Sequence, residues 1–362
     1  MKVAVIGAGN GGISMAAHMA LKGNEVSIYS KFNNEMKEII DKGGIYLKNG
    51  CVEGFAKMKL ASTEISKVIK DAELIMVVAP AFAHKDIANE IAPHLEDSQI
   101  VILNPGRTGG ALQFRKIVKE KNKNLESIVI GEAQTLIYAS RKVGPAEATI
   151  FGIKEKVSFA VLPSSAIDVA KEKIQKIFPQ FTPLENILET SLLNIGAIFH
   201  PAPCIFNAAR IESTKGNFEY YHEGITPTLG KILEKIDEER MNVAKGLGVK
   251  NKSTIEWLKD AYGVEGNSIY ECIQKNKSYS GIKAPSNINT RYISEDVPMS
   301  LVPIAEFGQL VDVETPTIDM IINLANIIHD KDYRENGRKL EDMGILKEEF
   351  INDEAAASKF VF

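Results

Sequence analysis

Cysteine is scarce, and the three that occur lie far apart. Cys51, Cys204 and Cys272 make no CxxC and no Cys–His spacing. That excludes a disulfide framework and a zinc site, and points to thiols in a reducing compartment. Positive charge is not in excess. Against 47 Asp and Glu stand 43 Lys and Arg, for a net charge of -4. A general nucleic-acid surface is therefore not expected, and any anionic ligand has to be held by local cations. Long hydrophobic runs are missing as well. The longest, Leu74–Ala83, is too short to span a bilayer. The apolar N-terminus is interrupted by glycines and does not read as a signal peptide. No internal repeat or low-complexity linker divides the chain. The expectation is a cytoplasmic protein with small-molecule partners and neither nucleic acid nor membrane.

What is present begins at the first residues. Val3–Ile6 is an apolar, β-rich run that enters Gly7-Ala-Gly9-Asn10-Gly11-Gly12 and continues into Ile13, Met15, Ala16, Ala17 and Met19. Strand, tight turn and helix in that order form a dinucleotide-binding pattern. Gly7 permits the turn, Gly9 lets a pyrophosphate approach the backbone, and Gly12 lets helix and strand pack closely. The diphosphate then meets free N–H groups at the positive end of the helix, so the segment Gly7, Gly9, Asn10, Gly11 and Gly12 is the candidate cofactor loop. A glycine-rich βα turn without a ligand is the plainer alternative.

A chain of 362 residues, 44% of them hydrophobic, supports two domains with ample core. Short β-rich runs at Val3–Ile6, Val26–Tyr29, Leu74–Val78, Ile100–Leu103 and Ile128–Gly131 alternate with helical patterns such as Ile87–Leu95 and Ala111–Lys121. The alternation predicts an α/β fold with a doubly wound parallel sheet of Rossmann type. Thr149–Gly152 and Val157–Leu162 are expected to extend that sheet, and Ala166–Ile177 to close it with a last helix. After about residue 186 the pattern turns helical, with Leu188–Phe199, Thr226–Gly248, Ile255–Tyr262, Ile269–Gln274 and Ile318–Ile328. We therefore expect a dinucleotide-binding domain over 1–185 and a mostly α-helical substrate domain over 186–362. The ligands should meet in a cleft between them. The apolar end Phe360-Val-Phe362 has two docking options, the chain's own core or a second copy in a homodimer.

Within the first half, NAD-specific folds usually close the second strand with an acid that bonds the ribose 2′-hydroxyl. Here Ser30 and Lys31 follow Tyr29 instead, and Glu25 sits at the strand's start. A hydroxyl and a cation suit a 2′-phosphate, which favours NADP(H) and leaves NAD(H) possible. Pro80, in Val77-Val-Ala-Pro80-Ala81, turns the chain beneath the nicotinamide side. Asn104, opening Asn104-Pro-Gly-Arg-Thr-Gly-Gly110, either bonds the nicotinamide ribose or simply makes the turn.

In the second half, Pro201 should end the helix that carries His200 and leave an imidazole at a helix terminus. The plain alternative is a histidine bonded to its own helix carbonyls. Thr290-Arg291 through Glu295-Asp296-Val-Pro298 offers an arginine suited to a carboxylate and an acid able to fix a histidine tautomer. A local Arg–carboxylate pair is the plainer reading. Asn207-Ala-Ala-Arg210-Ile-Glu212 and Tyr220-Tyr-His222-Glu223-Gly-Ile-Thr-Pro227 form a third polar and aromatic stretch whose roles spacing cannot assign.

At these residues the chain resembles the opine dehydrogenase family of octopine/nopaline type, over nearly its whole length. The shared motifs are the glycine loop, the Asn104-Pro-Gly turn with Gly109-Gly110, Glu132-Ala-Gln-Thr135 with Tyr138-Ala-Ser-Arg141, and His200-Pro201. They continue with Asn207 to Glu212, Glu223 to Pro227, Asp237 to Arg240, and Arg291 with Glu295 to Pro298. The resemblance implies a Rossmann domain and a helical domain. It implies NAD(P)H-dependent reduction of the imine formed from an amino acid and a 2-oxo acid, with no metal. It also implies His200 as catalytic acid/base, Asp296 as its partner, Arg291 as a carboxylate binder, and Gln134 and Thr135 on the substrate side. The alternatives are a ketopantoate-type 2-oxo acid reductase on the same scaffold, and a dinucleotide-binding sensor without turnover.

Overall fold

The computed structural model describes residues 1–346, and the Phe360-Val-Phe362 end lies outside them. The chain divides into two compact units, Met1–Thr190 and a second that begins at Ser191.

The first unit has twelve strands among the described residues. They are β1 (Lys2–Ile6), β2 (Glu25–Tyr29), β3 (Gly44–Leu47), β4 (Gly54–Lys57), β5 (Leu60–Ser62), β6 (Leu74–Val77), β7 (Ile100–Leu103), β8 (Val129–Ala133), β9 (Tyr138–Gly144), β10 (Glu147–Ile153), β11 (Val157–Leu162) and β12 (Phe181–Pro183). Its helices are α1 (Asn10–Leu21), α2 (Asn33–Lys42), α3 (Ile65–Ile69), α4 (His84–Ile91), α5 (Gly110–Lys121) and α6 (Ile167–Gln175). Eight strands make one sheet in the order β12-β11-β8-β7-β6-β1-β2-β5. The pairings are parallel except between β8 and β11. The order reverses at β1, which lies between β2 and β6. The glycine loop therefore leaves the carboxyl end of the strand at the topological switch point.

Two expectations are corrected. Val157–Leu162 is a strand of the main sheet, but it runs antiparallel to β8. Thr149–Gly152 does not extend that sheet. It belongs to β10, which joins a second, four-stranded sheet in the order β4-β3-β10-β9. The reason lies in α1. From Gly12 to Met19 every residue of this helix is buried, polar Ser14 and His18 included. A helix that is apolar all round needs cover on all sides. It gets it by packing on β1 and β2 of one sheet and on β3, β4, β9 and β10 of the other.

The second unit is helical, as expected. After α7 (Ile187–Leu192), which crosses the division, come α8 (Gly196–Phe199), α9 (Pro201–Phe206), α10 (Ala208–Thr214), α11 (Pro227–Gly246), α12 (Thr254–Tyr262), α13 (Ile269–Lys275), α14 (Arg291–Ser294), α15 (Val302–Leu310) and α16 (Pro316–His329). Its one β pairing among the described residues is the bridge Glu219–Lys283. The single helix expected over Leu188–Phe199 is two, because the chain breaks at Leu193–Ile195. There Asn194 Nδ2 donates to Ser300 Oγ at 2.7 Å. Ser300 lies in a π-helical turn, Val297–Leu301, between α14 and α15. Thr226 starts α11 by accepting from Leu229 N, with Pro227 in the first turn. The long helix then packs against α8, α9, α13, α15 and α16.

His18 gives the first unit a pH dependence. Its Nδ1 lies 3.0 Å from the Tyr138 hydroxyl, and its ring packs on Tyr138 and Phe178. Burial, and secondarily the Lys22 ammonium, pull its pKa down to about 4 from 6.5. The folded state therefore holds His18 neutral where the unfolded chain would already bind a proton. The contribution is complete above pH 6.5 and is lost as pH falls toward 4, by on the order of 1–3 kcal/mol. Urea unfolding should show stability dropping across that window, and His18→Leu should flatten the drop.

Candidate active site

The candidate cofactor loop of the first unit is set by packing against backbone. Gly7 sits at φ +115°, and its N–H donates to Tyr29 O at 2.8 Å. A Cβ on Gly7 would lie 2.3 Å from Val78 O, and one on Gly12 would lie 1.9 Å from Gly7 O. Both positions are closed to any side chain. Gly9, the N-cap of α1, has nothing within 4 Å of a notional Cβ, so the space over the helix end is open. Side-chain caps and first-turn acids are absent from α1. Its free amides and dipole suit a diphosphate. Asn10 faces another way. Its Oδ1 accepts from Lys142 N at 2.9 Å and ties the loop to β9. Gly11 is pressed against Leu136 and Val78.

At the end of β2 the structure separates Ser30 from Lys31. Ser30 is buried, its hydroxyl donates to the Glu35 carboxylate of α2, and its oxygen accepts from Phe32 N at 3.3 Å. It has no bond left for a phosphate. Lys31 is exposed, its ammonium 5.3 Å from the centre of the Phe32 ring. Pro80 is half-buried after β6 and opens a short turn, Ala81–Ala83. Asn104 is turned inward. It is buried, and its Nδ2 donates to Ile102 O at 2.8 Å, so it presents no atom to solvent. Gln134 and Thr135 form the loop after β8. Gln134 is buried with its N–H on Ser158 O, and Thr135 is half-buried. Lys154 braces this loop by donating to Leu136 O at 2.6 Å, and burial lowers its pKa to about 8.

The second unit builds a compact acid–base group. Pro201 starts α9, so His200 falls at the junction of α8 and α9. Its imidazole does not cap its own helix. Nδ1 lies 2.9 Å from Asp296 Oδ2. A carboxylate only accepts, so Nδ1 carries the proton and Nε2 is the working nitrogen. Asp296 is 1% exposed and His200 is 19% exposed, which leaves one edge of the ring open. Tyr220 donates to His200 O at 2.7 Å, and Tyr292 stacks on the ring at 4.3 Å between centroids. Arg291 is 61% exposed. Its Nε and Nη2 both bond Glu295 Oε2, the first at 2.6 Å. The local Arg–carboxylate pair is thus present. It holds the guanidinium on one edge and leaves Nη1 without a partner among the described residues.

The third polar stretch is tied up internally. Arg210 bonds Glu223 and covers the Phe218 ring, Asn207 Nδ2 donates to Gly224 O, and both nitrogens of His222 are engaged, with Glu219 and Asn276 O. Spacing within the sequence did not single out Glu35 or Tyr292, and it named Tyr220 only within the third stretch, without a role. For Tyr292 a signal existed. It stands four residues before Asp296, as Arg291 does before Glu295, and that spacing brings the members of each pair onto a common helical face.

Two family descriptions match the chain. The N-terminus of NAD-dependent glycerol-3-phosphate dehydrogenase matches residues 2–132, and the α-helical domain of NAD/NADP octopine/nopaline dehydrogenase matches 183–329. An opine dehydrogenase of Arthrobacter sp. (strain 1C) is 42% identical over 342 residues, 94% of each chain. The chain belongs to the opine dehydrogenase family. It is an NAD(P)-dependent oxidoreductase with the family's Rossmann and helical domains. Among solved structures, an octopine dehydrogenase holding NADH and L-arginine superposes with a TM-score of 0.80 at 20% identity, covering 95% of this chain and 96% of that one. A yersinopine dehydrogenase holding NADP+ gives 0.76 at 15% identity, covering 100% and 98%.

The Gly7–Gly12 contact makes a sharp prediction. Gly12→Ala forces the α1 end away from the β1 turn, so stability should fall by about 1–3 kcal/mol and dinucleotide binding with it. Gly9→Ala meets open space and should keep wild-type stability while weakening NAD(P)H binding. Chemical unfolding and cofactor fluorescence titration read the two effects separately.

Proposed function

We propose that this opine dehydrogenase joins the amine of an amino acid to the carbonyl of a 2-oxo acid and reduces the resulting imine to a secondary amine dicarboxylate. The observation that carries the reading is the His200–Asp296 pair, together with an exposed, one-edge-anchored Arg291 next in sequence to the Tyr292 that stacks on the ring. Arg291 presents Nη1 to a substrate carboxylate while Glu295 holds its plane. Condensation needs the ammonium deprotonated and the carbonyl oxygen protonated so that it leaves as water. His200 Nε2 performs both transfers in turn, and Asp296 fixes the tautomer and stabilises the charged ring. The nicotinamide, when bound, supplies the hydride. Glycines 7, 9 and 12 shape its phosphate cradle. Pro80 turns the chain beside it, and Gln134 and Thr135 line the substrate side. Asn104, being turned inward, bonds back to β7 instead.

For the cofactor we infer a preference for NADP(H) that rests on Lys31 alone, since Ser30 is committed to Glu35. The Glu35 carboxylate opposes a 2′-phosphate at the same strand end, so the preference is modest. Lys31→Ala should weaken NADPH binding about two- to fivefold and leave NADH binding unchanged, as an exposed ion pair implies. Equal kcat/KM for the two dinucleotides in the unaltered protein would remove the preference.

A matrix of 2-oxo acids against amino acids, followed by NAD(P)H absorbance, tests the reaction. Oxidation should require both partners. Equal rates with the 2-oxo acid alone would mean a simple keto acid reductase instead. His200→Ala should lower kcat by roughly 10²–10⁴-fold.

A further inference from the structure

Tyr292 lies nearly flat on the His200 imidazole, with 4.3 Å between ring centroids and 12° between planes. Asp296 meets the same imidazole edge-on, at 2.9 Å. The two residues are four apart and come from one stretch of chain. They therefore address one ring from two perpendicular directions. The backbone of His200 is fixed as well, because the buried Tyr220 donates to its carbonyl oxygen and packs its own ring 5.0 Å from Tyr292. Rotation of the imidazole about its Cβ–Cγ bond would break the stack and the Asp296 bond together.

We propose that Tyr292 is a positioning residue for His200, its ring face holding the imidazole plane and favouring the protonated ring, so that Nε2 stays aimed and charged when it must give up a proton. An aromatic face is electron-rich and attracts a cation laid over it. This rests on the reading of His200 as the acid/base. The surrounding groups leave Tyr292 a measurable share. Burial holds the phenols of Tyr220 and Tyr221 well above their usual range and pushes the Cys204 thiol of α9 up to about 12, so all three are neutral near pH 7. Arg291 and Glu295 of the α14 segment pair with each other. On α11, Asp237 bonds Arg240 and Glu239 caps α16. On α16, Asp319 pairs with Arg334, and both nitrogens of His329 are engaged, with Tyr333 and Ile288 O. On α15, Glu306 meets Leu340 N at 3.5 Å. Among the described residues, Asp296 is the charged group that bonds the ring.

The test uses the full chain with Tyr292→Phe, which keeps the ring, and Tyr292→Leu, which removes it. Two quantities are read. One is the titration midpoint of the His200 imidazole by NMR in the free protein, its signal assigned by loss in His200→Gln. The other is the pH profile of kcat and KM. Phe should match the unaltered protein in both. Leu should move the imidazole midpoint down by about 0.5. It should also lower kcat by about tenfold, with KM for the 2-oxo acid within about twofold. A Leu variant with an unmoved midpoint overturns the proposal. So does a Phe variant that loses as much as Leu, since the hydroxyl would then be the active part. Tyr292→Met, which keeps bulk without a ring, replaces Leu if Leu lowers the unfolding temperature. The titration needs no substrate. A failure of the opine reaction itself, with His200→Ala still active, is therefore distinguishable from a failure of the stack.

Discussion

A fully buried guanidinium organises the helical unit. Arg240 is closed off from solvent, and a charge so placed is tolerated only if it is paired and hydrogen-bonded. Asp237 takes Nε and Nη2, Leu192 O takes Nη1 at 2.6 Å, and Lys252 O takes Nη2 at 2.7 Å. Asp237 in turn accepts from the backbone and hydroxyl of Thr254. One side chain thus fixes the middle of α11 against the start of α12 and against the segment that leads into α8. Since α8 ends at His200, the placement of the imidazole goes back to this charge. Losing either member would strand the other in the core, which is far more damaging than losing a surface pair.

The same economy recurs at helix starts. Glu132, buried, accepts from Ala111 N at α5, and Glu239 accepts from Thr317 N and Ile318 N at α16. Ser253, Ser268 and Thr226 cap α12, α13 and α11. The contrast is α1, whose first turn carries neither cap nor acid. Beside a glycine with vacant space, such open amides suit an anionic ligand.

Much of this was legible in the residues. The βα alternation, the glycine loop and the helical second half all follow from period and composition. The pairing of His200 with Asp296, 96 residues apart in sequence, came from the family resemblance and not from spacing. Three features were not read. The second sheet went unseen because β3 and β4 are only four residues each. The clue lay in α1, whose Ile13, Met15, Ala16, Ala17 and Met19 face every direction, and one sheet cannot cover such a helix. For Asn104 the residues left two readings open, and its inward turn, like the capture of Ser30 by Glu35, is a rotamer choice. Nothing in a linear pattern fixes a hydroxyl on one neighbour over another.

The π-helical turn Val297–Leu301 separates two contacts that need different phases of the same helical stretch. Asp296, at its N-cap, addresses His200, and Ser300, near its far end, accepts from Asn194. A π turn takes up one residue more than an α turn. Removing that residue would swing one partner away by about 100° while leaving the other seated, given the usual advance per helical residue. The segment is therefore constrained in length as much as in composition. An insertion or deletion there would uncouple the acid–base pair from the scaffold in a single step, even with Asp296 and Ser300 both retained.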